Sequence, residues 1–413
     1  MKLKEICDVN QGLQIPIDER FTESGPHRYF YITVQFLKTS HINKFYVENP
    51  PISSICNKDD ILIVRTGSTG QIITGVEGCF HNNFFKVNFN KDLINGRYLF
   101  HCLNTKEKYK DMLRRAGVTT IPDLNHFMFL DIEIPFPKKS IQDQIAKILD
   151  LLDSKISLNN RINAELEAMA KTIYDYWFVQ FDFPDKNGKP YKASGGKMVW
   201  SEELKREIPE GWEVKKLGDL MYTSLGGTPS TKDKKFWDGG TIPWLNSGEI
   251  VNFPIIESEL KITEAAIKGS ATELLPKGSV MLSITRHLRP SILGIDACAN
   301  QSVVGIKEKG DIKCYFLYPY LKNEIPRLMT LRTGAQQPHI NKDIVDDSLI
   351  LIPDDKNGVL QSYNNKVCNL YDLIFNNALQ NQKLTELRDW LLPMLMNGQI
   401  TIKDAEKLLN KTS

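Results

Sequence analysis

The sequence predicts an α/β (α+β) protein in which two tandem globular domains are separated by a pair of long antiparallel coiled-coil helices. Three observations predict this fold class. A helical segment carries apolar residues at coiled-coil spacing, the same pattern returns in the second half of the chain, and short strand-like segments precede each copy. The 413 residues are 41% hydrophobic and 25% charged, which suits two or three domains with substantial cores.

The first long helix is predicted by two interleaved series of residues. Members of each series are seven positions apart: Ile145, Leu152, Asn159, Leu166 and Ile173 form one, and Leu149, Ile156, Asn163, Ala170 and Trp177 form the other. Together they alternate by four and three residues, as in a coiled-coil seam. A single stretch of this kind would also fit an ordinary core helix.

The second half of the chain repeats this seam at a constant offset of 218 residues, which favours the coiled coil. Five apolar positions recur as Val367, Leu370, Ile374, Leu384 and Leu391, and the two amides recur as Asn377 and Asn381. A buried amide is costly unless it meets a partner. We therefore expect antiparallel helices whose Asn159, Asn163, Asn377 and Asn381 side chains meet and fix the register. The alternative is that these amides face solvent at a locally shifted seam.

Segments before each helix also correspond. A strand ending in proline comes first (DIEIPFP and SLILIP), preceded by GVTTIPDLN and GAQQPHIN; further upstream, DDILIVRTGSTG corresponds to KGSVMLSITRHLRP and places Arg65 opposite Arg286. Short strands separated by Gly, Asn and Pro turns fit both halves. The predicted boundaries are a first domain at 1–138, a long helix at 139–182, an exposed linker at 183–208, a second domain at 209–354, a second long helix at 355–400 and a tail at 401–413.

Composition excludes several classes of protein. The longest apolar runs are too short to span a membrane, and the first residues lack the apolar segment of a signal peptide. The seven cysteines are scattered without a CxxC pair, so neither a disulfide framework nor a zinc site is indicated. This pattern favours the cytoplasm. A formal net charge of +2 neither demands nor excludes nucleic acid.

The sequence contains no recognisable catalytic centre. The Asn49-Pro50-Pro51 tripeptide resembles the start of the Asn-Pro-Pro-aromatic motif of adenine methyltransferases, but Ile52 replaces the aromatic residue. A phosphate-binding GxxxxGK[ST] loop, a GxSxG elbow and a metal-binding HExxH motif are also missing. We therefore expect no catalytic residues, no metal ligands and no cofactor on this chain.

Polar side chains are concentrated in turns, where Arg can read guanine, Asn or Gln can read adenine, and Lys, Ser or Thr can hold phosphates. The candidates in the first half are Arg65, Thr66, Ser68, Thr69, His81, Asn82, Arg114, Arg115, Thr119 and Thr120. Those in the second half are Lys232, Lys234, Lys235, Arg286, His287, Arg289, Gln301, Arg332, Gln336, Gln337 and His339. Any one of them could instead be a solvated loop residue or a turn cap. The repeated placement of Arg65 and Arg286 favours phosphate contact over base reading.

The segment Ile141–Pro184 resembles the central helical region of specificity (S) subunits of type I restriction–modification systems, and IPEGWEVKKLGDL resembles the entry to their second recognition domain. The resemblance implies a non-catalytic subunit whose two target recognition domains each read one half of a bipartite, asymmetric site in double-stranded DNA. It also implies that the helices dock two methyltransferase subunits, which bind S-adenosylmethionine, and that ATP-dependent restriction subunits can join. The aromatic residues Tyr174, Tyr176, Trp177 and Phe178 would then either contact these partners or cap the helix pair.

Two other classes of function remain as alternatives. One is a DNA methyltransferase, or a fused restriction–modification enzyme acting alone, which requires a cofactor loop and the complete Asn-Pro-Pro-aromatic motif. The other is a scaffold that braces proteins without contacting DNA, which leaves the polar loop tips unexplained.

Overall fold

The computed structural model describes residues 1–35, 44–117, 122–334, 336–354 and 358–411. The chain forms two compact units, one comprising Met1–Ile156 with Lys383–Ser413 and the other comprising Ser157–Gln382. The first long helix, Lys139–Tyr174, and the second long helix, Val359–Met396, each contribute residues to both units. Among the described residues, no helix is both long and apolar enough to cross a membrane.

The first unit contains two four-stranded sheets. Its strands are β1 (Cys7–Gln11), β2 (Arg28–Ile32), β3 (Tyr46–Glu48), β4 (Ile55–Cys56), β5 (Ile61–Val64), β6 (Ile72–Ile73), β7 (Gly78–Phe80) and β8 (Phe84–Phe89). One sheet has the antiparallel order β1–β8–β5–β6. The other has the order β3–β2–β7–β4, in which β2 and β7 run parallel. All four residues of β5 are buried, as expected of a central strand covered on both faces.

Three short helices follow the sheets of the first unit: Gly96–Leu103, Lys106–Ala116 and His126–Leu130. Each begins after a side chain, Asn95, Thr105 or Asn125, that accepts a hydrogen bond from a backbone N–H of the first turn. Their apolar faces join β5 and β8 in one core. Residues of both long helices and the C-terminal helix Ile402–Lys411 complete this core, including Leu149, Leu391 and Ala405.

The second unit repeats this arrangement. Its strands are β9 (Met198–Ser201), β10 (Arg206–Pro209), β11 (Glu213–Lys216), β12 (Tyr222–Leu225), β13 (Ile242–Leu245), β14 (Leu260–Ile262), β15 (Val280–Ser283), β16 (Arg289–Ile292), β17 (Cys298–Ala299), β18 (Val303–Lys307) and β19 (Leu349–Ile352). The antiparallel sheet β12–β18–β15–β16 corresponds to β1–β8–β5–β6. The sheet β14–β13–β17 contains the parallel pair β13–β17, which corresponds to β2–β7. The topology therefore confirms the predicted duplication.

The helices of the second unit also follow the first. They are Leu217–Leu220, Glu264–Gly269, Cys314–Thr330 and Lys342–Asp346. Asn341 accepts a hydrogen bond from the Ile344 N–H and so caps the last of these, as Asn125 does in the first unit. Phe316, Leu317 and Leu321 of the longest one lie in the main core.

Two segments differ from the sequence-based expectation. The proline-ended strand of the second unit pairs with β11 over four residues, whereas its counterpart in the first unit makes an isolated bridge between Lys2 and Glu133. The expected linker at 183–208 contains the antiparallel hairpin β9–β10. Phe183 of this segment stacks on Trp212 with ring centroids 5.0 Å apart, so its beginning is packed into the second unit.

Within the second unit, the four seam amides meet between antiparallel long helices. The Asn159 amide donates to the Asn381 Oδ1 at 2.9 Å and to Gln380, and Asn377 donates to the Asn163 Oδ1 at 2.9 Å. Asn163 in turn donates to the Ile374 carbonyl at 3.2 Å. Asn159 is 6% exposed, so the solvent-facing alternative is wrong. These bonds replace the hydrogen bonds to water that burial removes.

The aromatic end of the first long helix is core rather than surface. Tyr174, Trp177 and Phe178 are buried, and all three rings pack around Tyr363 of the second long helix. The helix changes to a π-helical turn at Asp175–Val179. Of the four aromatic residues considered as partner surface, only Tyr176 is exposed. The other three stabilise the helix pair and the adjoining core.

In the first unit, an ion-pair network joins the Gly96–Leu103 helix to both long helices. The buried His101 ring lies 2.8 Å from the Asp150 carboxylate, which Arg97 also contacts at 2.7 Å. Arg388 of the second long helix donates to Asp153 at 2.8 Å. The ligand-type atoms of His101, Asp150 and Asp153 lie within 4.8 Å of one another, a spacing that a cation could bridge. Because each carboxylate already has an arginine partner, the network suits a structural role that holds the short helix against the two long helices.

Candidate nucleic-acid interface

Three loops meet at one end of the antiparallel sheet in each unit. In the first unit, the Arg65 N–H donates to the Asn83 carbonyl at 2.8 Å, and the Leu124 N–H donates to the Arg65 carbonyl at 3.1 Å. In the second unit, Ile284 makes the same two bonds, donating to Ser302 at 3.0 Å and accepting from Ile340 at 3.0 Å. The structural counterpart of Arg65 is therefore Ile284. The predicted pairing of Arg65 with Arg286 is wrong by two residues, because β5 and β15 correspond at an offset of 219 positions whereas Arg65 and Arg286 lie 221 positions apart.

A fourth loop approaches the same place in each unit through a glycine. Gly12 and Gly226 donate to carbonyls at the start of β8 and β18. A Cβ atom on Gly12 would lie 2.2 Å from the Phe80 oxygen, and one on Gly226 would lie 2.2 Å from the Asn300 oxygen. No side chain fits at that distance. The close approach delivers Gln14 and Thr228 to equivalent positions beside the loop that follows β7 or β17.

The turn after β7 and β17 is held by a side chain in each unit. The His81 Nδ1 accepts from the Asn83 N–H at 3.1 Å, and the Asn300 Oδ1 accepts from the Ser302 N–H at 3.0 Å. Burial, aided by the charge of Arg20, lowers the pKa of His81, which favours the neutral ring that this bond requires. His81 therefore caps the turn through its Nδ1 atom.

The residue between these two positions carries a side-chain pair at the tip of each unit. The Asn82 amide donates to the Gln14 Oε1 at 3.0 Å. At the equivalent place, the Thr228 hydroxyl donates to the Gln301 Oε1. The backbone framework is the same, whereas the side-chain chemistry differs. Sequence reasoning found Asn82 and Gln301 but missed Gln14 and Thr228, although each lies two residues after an equivalent glycine.

Arg65 makes a forked ion pair beside the first of these tips. Its Nε and Nη2 donate to the two carboxylate oxygens of Asp123 at 2.9 and 2.6 Å. Its guanidinium carbon lies 5.7 Å from the centre of the Phe85 ring. Asp123 was also missed in the sequence. The pair fixes the arginine and neutralises most of its charge, so it is a poor arrangement for holding phosphate.

The other first-unit candidates divide into structural and surface residues. Thr69 is buried and its hydroxyl donates to the Pro122 carbonyl at 2.7 Å, whereas Thr66 and Ser68 are half-buried. Arg114 and Arg115 both bind Asp111 on their own helix. Burial would raise the pKa of Asp111, but these bonds hold it below its usual value. Thr119 and Thr120 lie outside the described residues.

In the second unit, two neighbouring loops expose most of the candidates. The Arg286 N–H donates to the Pro338 carbonyl at 2.8 Å, which joins the loops. The exposed side chains on this pair of loops and at the start of β16 are Arg286, His287, Arg289, Gln336, Gln337 and His339. Arg332 is half-buried and donates to the Met329 and Arg286 carbonyls, so it supports the loops from inside.

The lysine cluster of the second unit follows Thr228 along the chain. Lys232, Lys234 and Lys235 are exposed, and Lys235 pairs with Asp233 at 2.9 Å. The first unit also has a 3-10 helix between its first two strands, Ile17–Glu19, which carries Asp18 and Glu19. The two units therefore present opposite charges in the connection between their first two strands, which gives them different electrostatic surfaces.

Comparisons with known proteins agree on one family. The sequence profile described as "Type I restriction modification DNA specificity domain" matches residues 1–168 and 209–387. The specificity subunit of the type I restriction enzyme MjaIX from Methanocaldococcus jannaschii is 27% identical over 84% of this chain and 79% of its own length. That of HindI from Haemophilus influenzae is 24% identical over 77% of this chain and 80% of its own length.

A solved structure shows the same fold. The type I restriction–modification S subunit from M. genitalium superposes with a TM-score of 0.51 at 15% identity, covering 96% of this chain and 95% of that one. The likeness extends through both units and both long helices.

Proposed function

Because this chain belongs to the type I restriction–modification DNA specificity family, we propose that it is the non-catalytic subunit that recognises a bipartite, asymmetric site in double-stranded DNA. Each unit reads one half of that site. The long helices hold the methyltransferase subunits that modify it, and ATP-dependent restriction subunits join the same assembly.

One observation carries this proposal. The two units share a topology and a set of backbone hydrogen bonds around their loop tips, yet they present Gln14 with Asn82 in one and Thr228 with Gln301 in the other. Amide side chains can read adenine by paired hydrogen bonds, and hydroxyls can contact bases or phosphates. Two units that share a backbone framework but differ in the side chains of their loop tips are suited to recognising two different DNA sequences.

The methyltransferase subunits dock on an exposed apolar stripe of the first long helix. Leu158, Ile162, Met169 and Tyr176 are 45%, 39%, 53% and 39% exposed. At α-helical spacing, Leu158, Ile162 and Met169 lie within about 40° of one another around the helix, roughly a quarter-turn from the amide seam. Tyr176 follows them in the π-helical turn. Such a stripe is typical of a helix that packs against a partner. Two methyltransferase subunits, one for each half-site, fit the duplicated chain.

Disrupting this stripe tests the docking directly. Replacing both Leu158 and Met169 with Glu introduces charge at the centre of the apolar contact, and we expect the methyltransferase subunits to be lost on size-exclusion chromatography of the complex. Ala164→Glu is the matched control, because Ala164 is exposed on the other side of the same helix. Equal retention of partners by both variants contradicts the assignment of this face.

Catalysis and cofactor binding belong to the partners. S-adenosylmethionine binds the methyltransferase subunits, and this chain binds no cofactor or metal of its own. In support, the Asn49-Pro50-Pro51 segment forms a turn in which Asn49 has a φ of 48° and Ile52 is 87% exposed, so no aromatic side chain follows to stack on a target base.

Methylome sequencing tests the proposed function. The chain is expressed with its methyltransferase subunits in a host free of DNA methylation. We expect methylation within one split sequence whose halves differ, and none when either component is expressed alone. Methylation without this chain, S-adenosylmethionine binding by the isolated chain, or modification without sequence preference contradicts the proposal.

A further inference from the structure

Arg65 is held in a single orientation by contacts from three sides. Its backbone is fixed by the hydrogen bonds to Asn83 and Leu124, and one face of its guanidinium lies toward Phe85. The Nε and Nη2 edge is fully used by Asp123. The side chain is 22% exposed and that of Asp123 is 47% exposed, so the pair lies at the surface rather than in the core.

The fork leaves the other edge of the guanidinium free to recognise a ligand. Guanidinium has five N–H donors, of which this pair uses two. No partner for Nη1 is found within the part of the chain that the structure describes. One N–H of Nη1 and the remaining one of Nη2 point the same way, which is the geometry that pairs with two adjacent acceptors. Guanine presents such acceptors, O6 and N7, in the major groove.

The charge of the pair argues against a phosphate contact. A phosphate-binding arginine acts through its net positive charge, which releases counterions from the DNA. Here the Asp123 carboxylate cancels that charge and would repel a phosphate. A base contact depends on direction rather than net charge, and the carboxylate supplies direction by fixing the rotamer. The neighbouring Asn82–Gln14 pair places further base-reading chemistry beside Arg65.

We propose that Arg65 reads a guanine in the half-site recognised by the first unit and that Asp123 is the positioning residue that orients it. This inference rests on the proposed function. It adds the residue that reads, the base that it reads and a difference between the two units. In the second unit, buried Ile284 occupies the corresponding position, so a base-reading arginine is missing at that position. The expectation that Arg65 holds phosphate relied on its equivalence to Arg286, whereas its structural counterpart is Ile284.

The test combines the recognised sequence with the salt dependence of DNA binding, both measured on the assembled complex. For Arg65→Ala we expect one guanine position, in one half-site only, to become degenerate, with a loss of discrimination of about 5- to 150-fold. The slope of log affinity against log salt should stay nearly unchanged. Asp123→Asn should relax the same position to a smaller extent, since the arginine remains but is less well oriented.

Two further variants separate recognition from folding. Arg65→Lys keeps the charge and a bond to Asp123 but lacks the planar fork, so it should also lose discrimination while melting like the wild type. Arg28→Ala is the matched control, because Arg28 also pairs with a carboxylate, Glu48, and lies over the Phe21 ring at the far end of β2. It should leave the recognised sequence intact.

Each contrary result is distinct. A uniform loss of affinity with a salt slope shallower by about 0.9 assigns a phosphate role and overturns the inference. An unchanged recognition sequence in both Arg65 variants also overturns it while leaving the proposed function standing. A wild-type complex that shows no split recognition sequence overturns the proposed function and the inference with it.

Discussion

Asn82 and Gln301 occupy equivalent positions in the two units. They show most clearly how the side chains of the two recognition surfaces differ. Each side chain is oriented by a neighbour that reaches it from the glycine-centred loop. An amide held by one hydrogen bond keeps other donors and acceptors free, which is what paired contacts to a base require.

We predict that Asn82→Ala and Gln301→Ala will each relax a different half of the recognised site. Loss of a paired base contact should cost about 1–3 kcal/mol of discrimination at one position. Methylome sequencing of each variant complex measures the change. Lys186→Ala, in an exposed turn of the 183–208 segment, should leave both halves intact. Relaxation of the same half by both variants contradicts the equivalence.

At the residue scale, the sequence predicted contacts correctly where a repeated pattern limited which residues could meet. The amide seam could be predicted because buried Asn needs partners and the repeat supplied four of them. Asp123 could not be found, because an ion pair between Arg65 and a residue 58 positions away leaves no local signal. Gln14 and Thr228 become visible only when the glycines before them are aligned by structure.

Hydrogen-bonded amides fix how the two long helices are aligned along each other, which is their register. Their amide layers join residues separated by more than 210 positions, such as Asn377 and Asn163. Polar layers in an apolar seam restrict the helices to one alignment, at a cost in stability.

We predict that replacing Asn159, Asn163, Asn377 and Asn381 together by Leu will stabilise helix association but loosen its register. Single replacements should instead lower the free energy of unfolding by about 1–3 kcal/mol, because each leaves a partner amide unsatisfied. Thermal melts compare the variants, with the exposed Asn376→Leu as control. If the single and fourfold changes melt alike, the amide pairs do not set the register.

The ion-pair network of the first unit gives a second prediction for the helices. Burial would raise the pKa of Asp150, but hydrogen bonds from His101 and Arg97 lower it overall. A carboxylate whose pKa is depressed by folding stabilises the folded state above its unfolded pKa of about 3.9, and this contribution disappears as the pH falls through the lower folded value.

Asp150→Asn should therefore lower the urea midpoint at neutral pH, with a cost of about 1–3 kcal/mol for leaving His101 without its charged partner. The difference from wild type should shrink as the pH falls below about 4. Asp143→Asn is the control, since Asp143 lies on the same helix in a more exposed pair with Lys139. If the difference in urea midpoint between variant and wild type stays constant with pH, Asp150 is not ionised in this ion-pair network.

Element boundaries show why the sequence could predict the helices better than the strands. The first long helix begins at Lys139, as predicted, and its heptads run from Ile145 to Trp177. The hairpin β9–β10 lies within the predicted linker, because short strands among Gly and Lys residues lack a clear period. The two-residue strands β4 and β17 acquire their pairing from neighbours distant in sequence, which no local pattern indicates.

At the scale of the whole chain, the proposed function leads us to expect that the length of the helices sets the distance between the two halves of the recognised site. We predict that adding one heptad to both long helices will lengthen the gap and leave the bases of both halves unchanged. Seven residues add about 10 Å of helix, comparable to roughly three base-pair steps. Methylome sequencing measures the gap; an insertion that is tolerated but changes the bases rather than the spacing contradicts this role.

In the proposed function, each unit reads its half-site independently of the other. Its most direct test is to exchange Trp212–Pro353 for the equivalent segment of a related specificity subunit and to sequence the methylome of the host. We predict that one half of the recognised site changes to that of the donor while the other half and the spacing remain. A single exchange that rewrites both halves contradicts it.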